Sequence, residues 1–307
     1  MGIKDEWPKY QHDIQYSTHS RLNTLEICLP RPTSANDRKR LWVIFIHGGA
    51  WKDPSINAAN SFKAAQARLL HSGLCEEYIA GFASINYRLS PYPSHERDPS
   101  NPSDPARNAR HPEHITDVLA ALLHLQETFA FEDRYVLVGH SCGATLALQV
   151  AMKRYWGSQY ESTLALELNV VPPVAMVGLA GLYDLPRLVA YHDAKGEAAY
   201  RGFVTDAFGN DRDLWRDASP AAASDFDQSW EDGRLVVIAH SRDDRLVEWE
   251  QAELMLRSLE HQGFTKDGTG KRSSLLKITG DHDQIWQEGH EVARAIEHAI
   301  SELASMV

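Results

Sequence analysis

Gly139-His140-Ser141-Cys142-Gly143 follows the apolar run Tyr135-Val136-Leu137-Val138 and precedes a helix-like segment, so a serine stands between two glycines where strand gives way to helix. This is the sequence form of a nucleophile elbow. A turn that tight holds the serine at strained backbone angles, and its flanking positions must be nearly bare for strand and helix to approach. Glycine alone meets that demand. The pentapeptide arises by chance in many chains, so its weight comes from its context and its partners.

The context is alternating strand and helix. Short apolar runs recur at 24–29, 41–46, 80–87, 135–138, 174–179, 235–239 and 275–278, several too continuously apolar to leave a face in water. Helix-period segments lie at 114–129, 143–155, 248–261 and 284–303. The pattern predicts an α/β fold of one domain over 1–307, a mostly parallel doubly wound sheet with helices on both faces. The first strands, read as lacking helices between them, are expected to pair antiparallel. The Pro/Asn/Ser-rich stretch 90–110 reads as a long solvated loop. Residues 183–233, polar but carrying Trp215 and Trp230, read as an insertion with the character of a small lid.

Composition narrows the partners. The chain has 307 residues, 43% of them hydrophobic, which suffices for a substantial core, and a formal charge of −11 spread along its length. Nucleic acid and anionic membranes select clustered Lys and Arg, so a small-molecule partner is expected instead. Cys28, Cys75 and Cys142 are odd in number and show no C-x-x-C, which gives neither a disulfide framework nor a thiolate zinc site. The amino terminus lacks the apolar stretch of a signal peptide, and no run approaches the roughly 20 apolar residues of a membrane span. A soluble cytoplasmic protein is the expectation.

Active groups of parallel α/β sheets sit at the carboxyl ends of strands. Polar residues follow four of the runs: His47-Gly48-Gly49-Ala50-Trp51, Ser141, His240 to Asp244, and Gly280 to Asp283. A serine hydroxyl needs an imidazole to take its proton during attack and return it to the leaving group, and His282, after the last strand, is the candidate. The imidazole in turn needs a buried carboxylate to fix its tautomer. Asp243 and Asp244 compete, and Asp244, four residues beyond His240 and three before Val247, is favoured. Backbone amides of Gly48, Gly49 and Cys142 are the candidate donors to the anionic oxygen of a tetrahedral intermediate. The glycine pair also fits an ordinary tight turn. A metal is not expected: His111-Pro112-Glu113-His114 lacks H-E-x-x-H spacing, and Pro112 breaks a shared helical face. Cys142 reads as a buried thiol within the helix packing.

These residues resemble the α/β-hydrolase fold family over nearly the whole chain. Within it, His47-Gly48-Gly49-Ala50-Trp51 with Asp53-Pro54 is similar to the kynurenine formamidase (arylformamidase) family. Ile85 to Pro91 and Gly181 to Leu185 occur in that family and also in esterases of the hormone-sensitive-lipase type. The resemblance implies hydrolysis of N-formyl-L-kynurenine to L-kynurenine and formate, a step of tryptophan breakdown towards NAD, with Ser141, Asp244 and His282 as the triad, no cofactor, and a homodimer as a family-level expectation. Trp51, Tyr183 and Trp286, near the proposed strand ends, are candidates to stack on the substrate ring. A carboxylesterase with the same triad and a non-catalytic binding protein of the same fold are the rival readings.

Overall fold

The computed structural model describes residues 6–32, 34, 37, 39–152, 170–268 and 270–306. Eight strands form one sheet: β1 Lys9–Gln15, β2 Thr24–Leu29, β3 Leu41–Ile46, β4 Ile79–Ile85, β5 Tyr135–His140, β6 Ala175–Leu179, β7 Leu235–Ser241 and β8 Arg272–Ile278, in the order β1-β2-β4-β3-β5-β6-β7-β8. Pairing is antiparallel at β1/β2 and β2/β4 and parallel from β4 to β8.

Every residue of β5, β6 and β7 is buried, so these strands are apolar without alternation. Successive side chains feed opposite cores. On β3, Ile44 and Ile46 join the layer under helices Glu113–Phe129 and Cys142–Gln149, while Val43 and Phe45 join the layer under Lys63–Leu70 and His290–Ser305. At the edge, β1 is almost wholly exposed, and its polar sequence carried no strand signal.

Three expectations change. Helices Ala58–Ser61, Lys63–Leu70 and Gly73–Tyr78 lie between β3 and β4, and those strands run parallel across this connection. Asn57 and Asn60 form a capping box that starts the first. The segment 284–303 is two helices, His282–Glu288 and His290–Ser305, parted at Gly289 (φ +68°), where a Cβ would lie 2.3 Å from the Ala65 nitrogen. The helix expected over 143–155 spans Cys142–Gln149, and its end beyond 152 lies outside the described residues.

The loop 90–110 is more anchored than its composition implies. Ser90, Ala106 and Arg107 are buried, and Arg107 pairs with Asp98 at 2.7 Å. Residues 183–233 carry helices Leu185–Ala194, Ala199–Phe208, Arg212–Ala218 and Phe226–Ser229. Trp215 and Trp230 are buried there, their indole N–H groups donating to Gly209 and Pro173 carbonyls. Among the described residues no helix is long and apolar enough to cross a membrane.

Candidate active site

Ser141 sits between β5 and the helix Cys142–Gln149 at φ 55°, ψ −125°, a conformation non-glycine residues rarely adopt. The surroundings enforce it. A Cβ on Gly139 would come within 2.2 Å of the Gly143 carbonyl oxygen, and one on Gly143 within 2.3 Å of the Ile46 oxygen on β3. The Ser141 N–H donates to the Leu179 carbonyl of β6 at 2.8 Å. Strands on both sides therefore fix the turn.

Two loops bring acid and imidazole together from β7 and β8. His282 Nδ1–H donates to Asp244 Oδ2 at 2.8 Å, which leaves Nε2 as the basic nitrogen. The Asp244 side chain is fully buried, and its Oδ1 accepts the Leu246 and Val247 amides at 2.9 Å each. Burial pushes this carboxyl up, but the imidazole and the two amides outweigh it and hold it below its ordinary value. Asp243 is exposed, with its own amide on Ser241 Oγ.

Neighbouring side chains brace the pair. His140 Nε2–H donates to the His282 carbonyl at 3.1 Å, and His240 Nε2–H to the Val247 carbonyl at 3.0 Å. Burial depresses both imidazoles, so they serve as neutral struts. Arg245, next to Asp244, bonds Asp281, next to His282, through its backbone amide and guanidinium, tying the two loops directly.

The glycine loop after β3 packs against the elbow. A Cβ on Gly48 would lie 3.0 Å from Ser141 Cβ and 2.9 Å from His140 Nδ1. His47 stacks on Tyr87 with centroids 4.4 Å apart and donates from Nδ1 to the Gly48 carbonyl, while the Tyr87 hydroxyl donates to the His47 carbonyl at 3.0 Å. Gly49, Ala50 and Trp51 all have positive φ (98°, 51°, 59°), forming a turn closed by the Lys52 and Asp53 amides on the Gly49 carbonyl. Cys142 is buried, its thiol pushed up to about 11 by desolvation, and its Sγ accepts the Trp51 amide at 3.2 Å. The thiol thus joins the glycine loop to the elbow helix.

Ser141, Gly49 and His282 border one cleft of about 310 Å³ whose apolar wall includes Tyr92, Leu182, Tyr200, Phe203 and Val247. The aromatic candidates named from sequence lie elsewhere. Trp51 is fully buried behind Phe203 and edge-on to Phe208, and Tyr183 is sealed against Gly178 and Gly181. Trp286 packs on the opposite core and donates to Asp283. Of the aromatics that do border the cleft, Tyr92 comes from the loop 90–110 and Tyr200 and Phe203 from the helix Ala199–Phe208. No local sequence signal set them apart. His114 is buried on Ser90 Oγ and Glu113 pairs with Arg88; among the described residues no cluster of three or more His, Cys, Asp or Glu side chains is arranged to hold a metal.

An elbow serine after β5 and an acid-backed imidazole from β7 and β8, on this strand order, define an α/β-hydrolase. Residues 25–259 match the BD-FAE family model. The sequence is 39% identical to a kynurenine formamidase-like hydrolase, fscH, of Fusarium equiseti (95% of this chain, 94% of the relative) and 34% identical to kynurenine formamidase avaC of Aspergillus versicolor (93% and 98%). The chain belongs to the kynurenine formamidase family of α/β-hydrolases and is a hydrolytic enzyme. Similar solved folds include a truncated carbohydrate esterase from gut microbiota (TM-score 0.64, 18% identity, 97% and 99% covered) and esterase B of Lactobacillus rhamnosis (0.67, 16%, 97% and 84%).

Proposed function

We propose that the protein hydrolyses N-formyl-L-kynurenine to L-kynurenine and formate, in tryptophan breakdown towards NAD in the cytoplasm, with Ser141 as nucleophile, His282 as general base and acid, and Asp244 as its buried partner. The observation that carries this reading is the strained Ser141 turn opening onto the same cleft as the Asp244-bonded His282.

Ser141 Oγ attacks the formyl carbon while His282 Nε2 takes its proton. The amides of Gly48, Gly49 and Cys142 stabilise the oxyanion, each such donor being worth about 10² to 10³ in rate. His282 then passes the proton to the arylamine nitrogen as the C–N bond breaks. Water, deprotonated by His282, attacks the formyl-serine, and the proton returns to Ser141 as formate leaves. The residues fit this substrate in two respects. Formyl is the smallest acyl group and suits a serine only 6% exposed, whereas the arylamine meets a wall of Tyr92, Tyr200 and Phe203. An arylamine also departs more readily than an alkylamine because its lone pair is delocalised.

Formate release from N-formyl-L-kynurenine, set beside hydrolysis of short p-nitrophenyl esters, tests the assignment. A formamidase favours the first in kcat/KM by orders of magnitude. A preference for esters would make the protein a carboxylesterase, and failure of a fluorophosphonate to label Ser141 would remove the serine mechanism altogether.

A further inference from the structure

The cleft that holds Ser141 and His282 carries one lysine, Lys52, in its wall. The left-handed turn Gly49-Ala50-Trp51 reverses the chain immediately before it, and the Lys52 amide on the Gly49 carbonyl closes that reversal at 2.9 Å. Consecutive non-glycine residues at positive φ are strained, a cost tolerated where a turn must aim a group. The Lys52 side chain is only 19% exposed. Its ammonium lies 3.3 Å from Asp206 Oδ2, on the helix that also presents Tyr200 and Phe203, and 4.5 Å from the centre of the Tyr92 ring. An ammonium has three N–H donors, and Asp206 takes one. The remaining donors stand beside the aromatic wall, where a ring-bearing substrate would lie.

Two carboxylates border the same space. Asp53 is engaged by Ser55 and lies 3.5 Å from His95, and Asp283 receives the Trp286 indole on one oxygen. A cleft with one cation among carboxylates disfavours polyanions and suits a molecule whose single carboxylate is accompanied by an ammonium.

We propose that Lys52 is the specificity residue for the leaving-group side of the substrate, binding the carboxylate of an amino-acid tail attached to the aromatic ring. The proposal rests on the formamidase reading for its substrate but predicts a preference measurable on esters too. Asp206 positions the ammonium, and Tyr92 shields it from water.

The experiment measures the kcat/KM ratio for carboxylate-bearing against decarboxylated congeners in two matched pairs: N-formyl-L-kynurenine with N-formylkynurenamine, and O-acetyl-L-tyrosine with O-acetyltyramine. In Lys52→Met each measurable ratio falls by about ten- to a hundredfold, chiefly through KM of the carboxylate substrate, as expected for loss of a charged hydrogen bond. Lys52→Arg restores most of the ratio, and Asp206→Asn preserves it. Equal losses on both members of a pair, leaving the ratio constant, would make Lys52 a purely structural clamp on the helix and overturn the proposal. If the wild type does not cleave the formamide, the formamidase reading fails and the ester pair alone decides the role of Lys52.

Discussion

The chemical end of the cleft hangs from the sheet, whereas the binding end is carried by two helices whose contacts at the cleft are made by side chains, although the Ala207 carbonyl also accepts the His111 amide at 2.7 Å. Ser141, Asp244 and His282 follow β5, β7 and β8, and their loops are held by bonds that each end on a backbone group: Ser141 N–H on the Leu179 carbonyl, Asp244 Oδ1 on two amides, His140 Nε2 on the His282 carbonyl. Helices Leu185–Ala194 and Ala199–Phe208 meet the cleft instead through Tyr200 Oη on the Leu246 carbonyl (2.7 Å), Lys52 on Asp206, and the His192 ring stacked on Tyr200. Geometry fixed by backbone tolerates almost no substitution. Geometry fixed by exchangeable side chains can be retuned without loss of the fold.

The sharpest way to break this contrast is at the chemical end. Ser141→Ala removes the proposed nucleophile while leaving the elbow backbone in place, so kcat on N-formyl-L-kynurenine is expected to fall about 10⁴- to 10⁶-fold with a thermal midpoint near that of the wild type. A variant releasing formate at the wild-type rate would show that the elbow is ornamental. Next in size, Asp244→Asn presents the wrong group to His282 Nδ1–H and should lower kcat by about 10⁴-fold. Asp243→Asn, one residue away and exposed, should change it by less than about twofold. Steady-state kinetics on the pair would reassign the acid if the order were reversed.

The same contrast explains what could be read beforehand. Strand β3 matched its expected limits because it is an apolar run bounded by Arg40 and His47, and β2 because its buried Leu25, Ile27 and Cys28 are closed off by Asn23 and Pro30. The elbow, the glycine loop and the order of serine, acid and histidine were legible because backbone demands leave residue types behind: Gly139 and Gly143 have no room for a Cβ. β1 escaped notice because an exposed edge strand needs no apolar side chains, and the helices of 58–78 because their start is written in asparagines rather than periodicity. Trp51 and Tyr183 misled for a related reason. Proximity in sequence to a strand end says nothing of which way a ring points, and both rings turn inward, while Tyr200 and Phe203 reach the cleft from a segment with no motif.

A smaller effect probes how the chemical end is cemented. His47, packed between Tyr87 and the glycine loop, is lowered by burial to about 4, and His114 likewise to about 3. Each therefore binds its proton more weakly folded than unfolded. The stability they confer is complete above the unfolded value of 6.5 and is lost as pH falls towards the folded values. For His47 alone the change is on the order of 3 kcal/mol across that interval. Urea midpoints measured between pH 7 and pH 4.5 should decline steadily once below 6.5. A flat profile would mean that these rings are solvated and that the loop around Gly48 is looser than its contacts imply.

The smallest change is expected at the other wall. Tyr200→Phe deletes the hydroxyl that reaches the Leu246 carbonyl, two residues beyond Asp244, but leaves the ring on His192 and in the cleft. Leu246 is 45% exposed, so water can take over its carbonyl, and the loss should be about 1 kcal/mol of stability or less. The acid itself stays fixed by the amides of Leu246 and Val247, neither of which depends on Tyr200. Formate-release kinetics should accordingly show kcat/KM reduced by no more than about fivefold, mostly in KM. A fall in kcat comparable to that of Asp244→Asn would place the helix wall within the chemical apparatus, and the division between a backbone-built catalytic end and a side-chain-built binding end would fail.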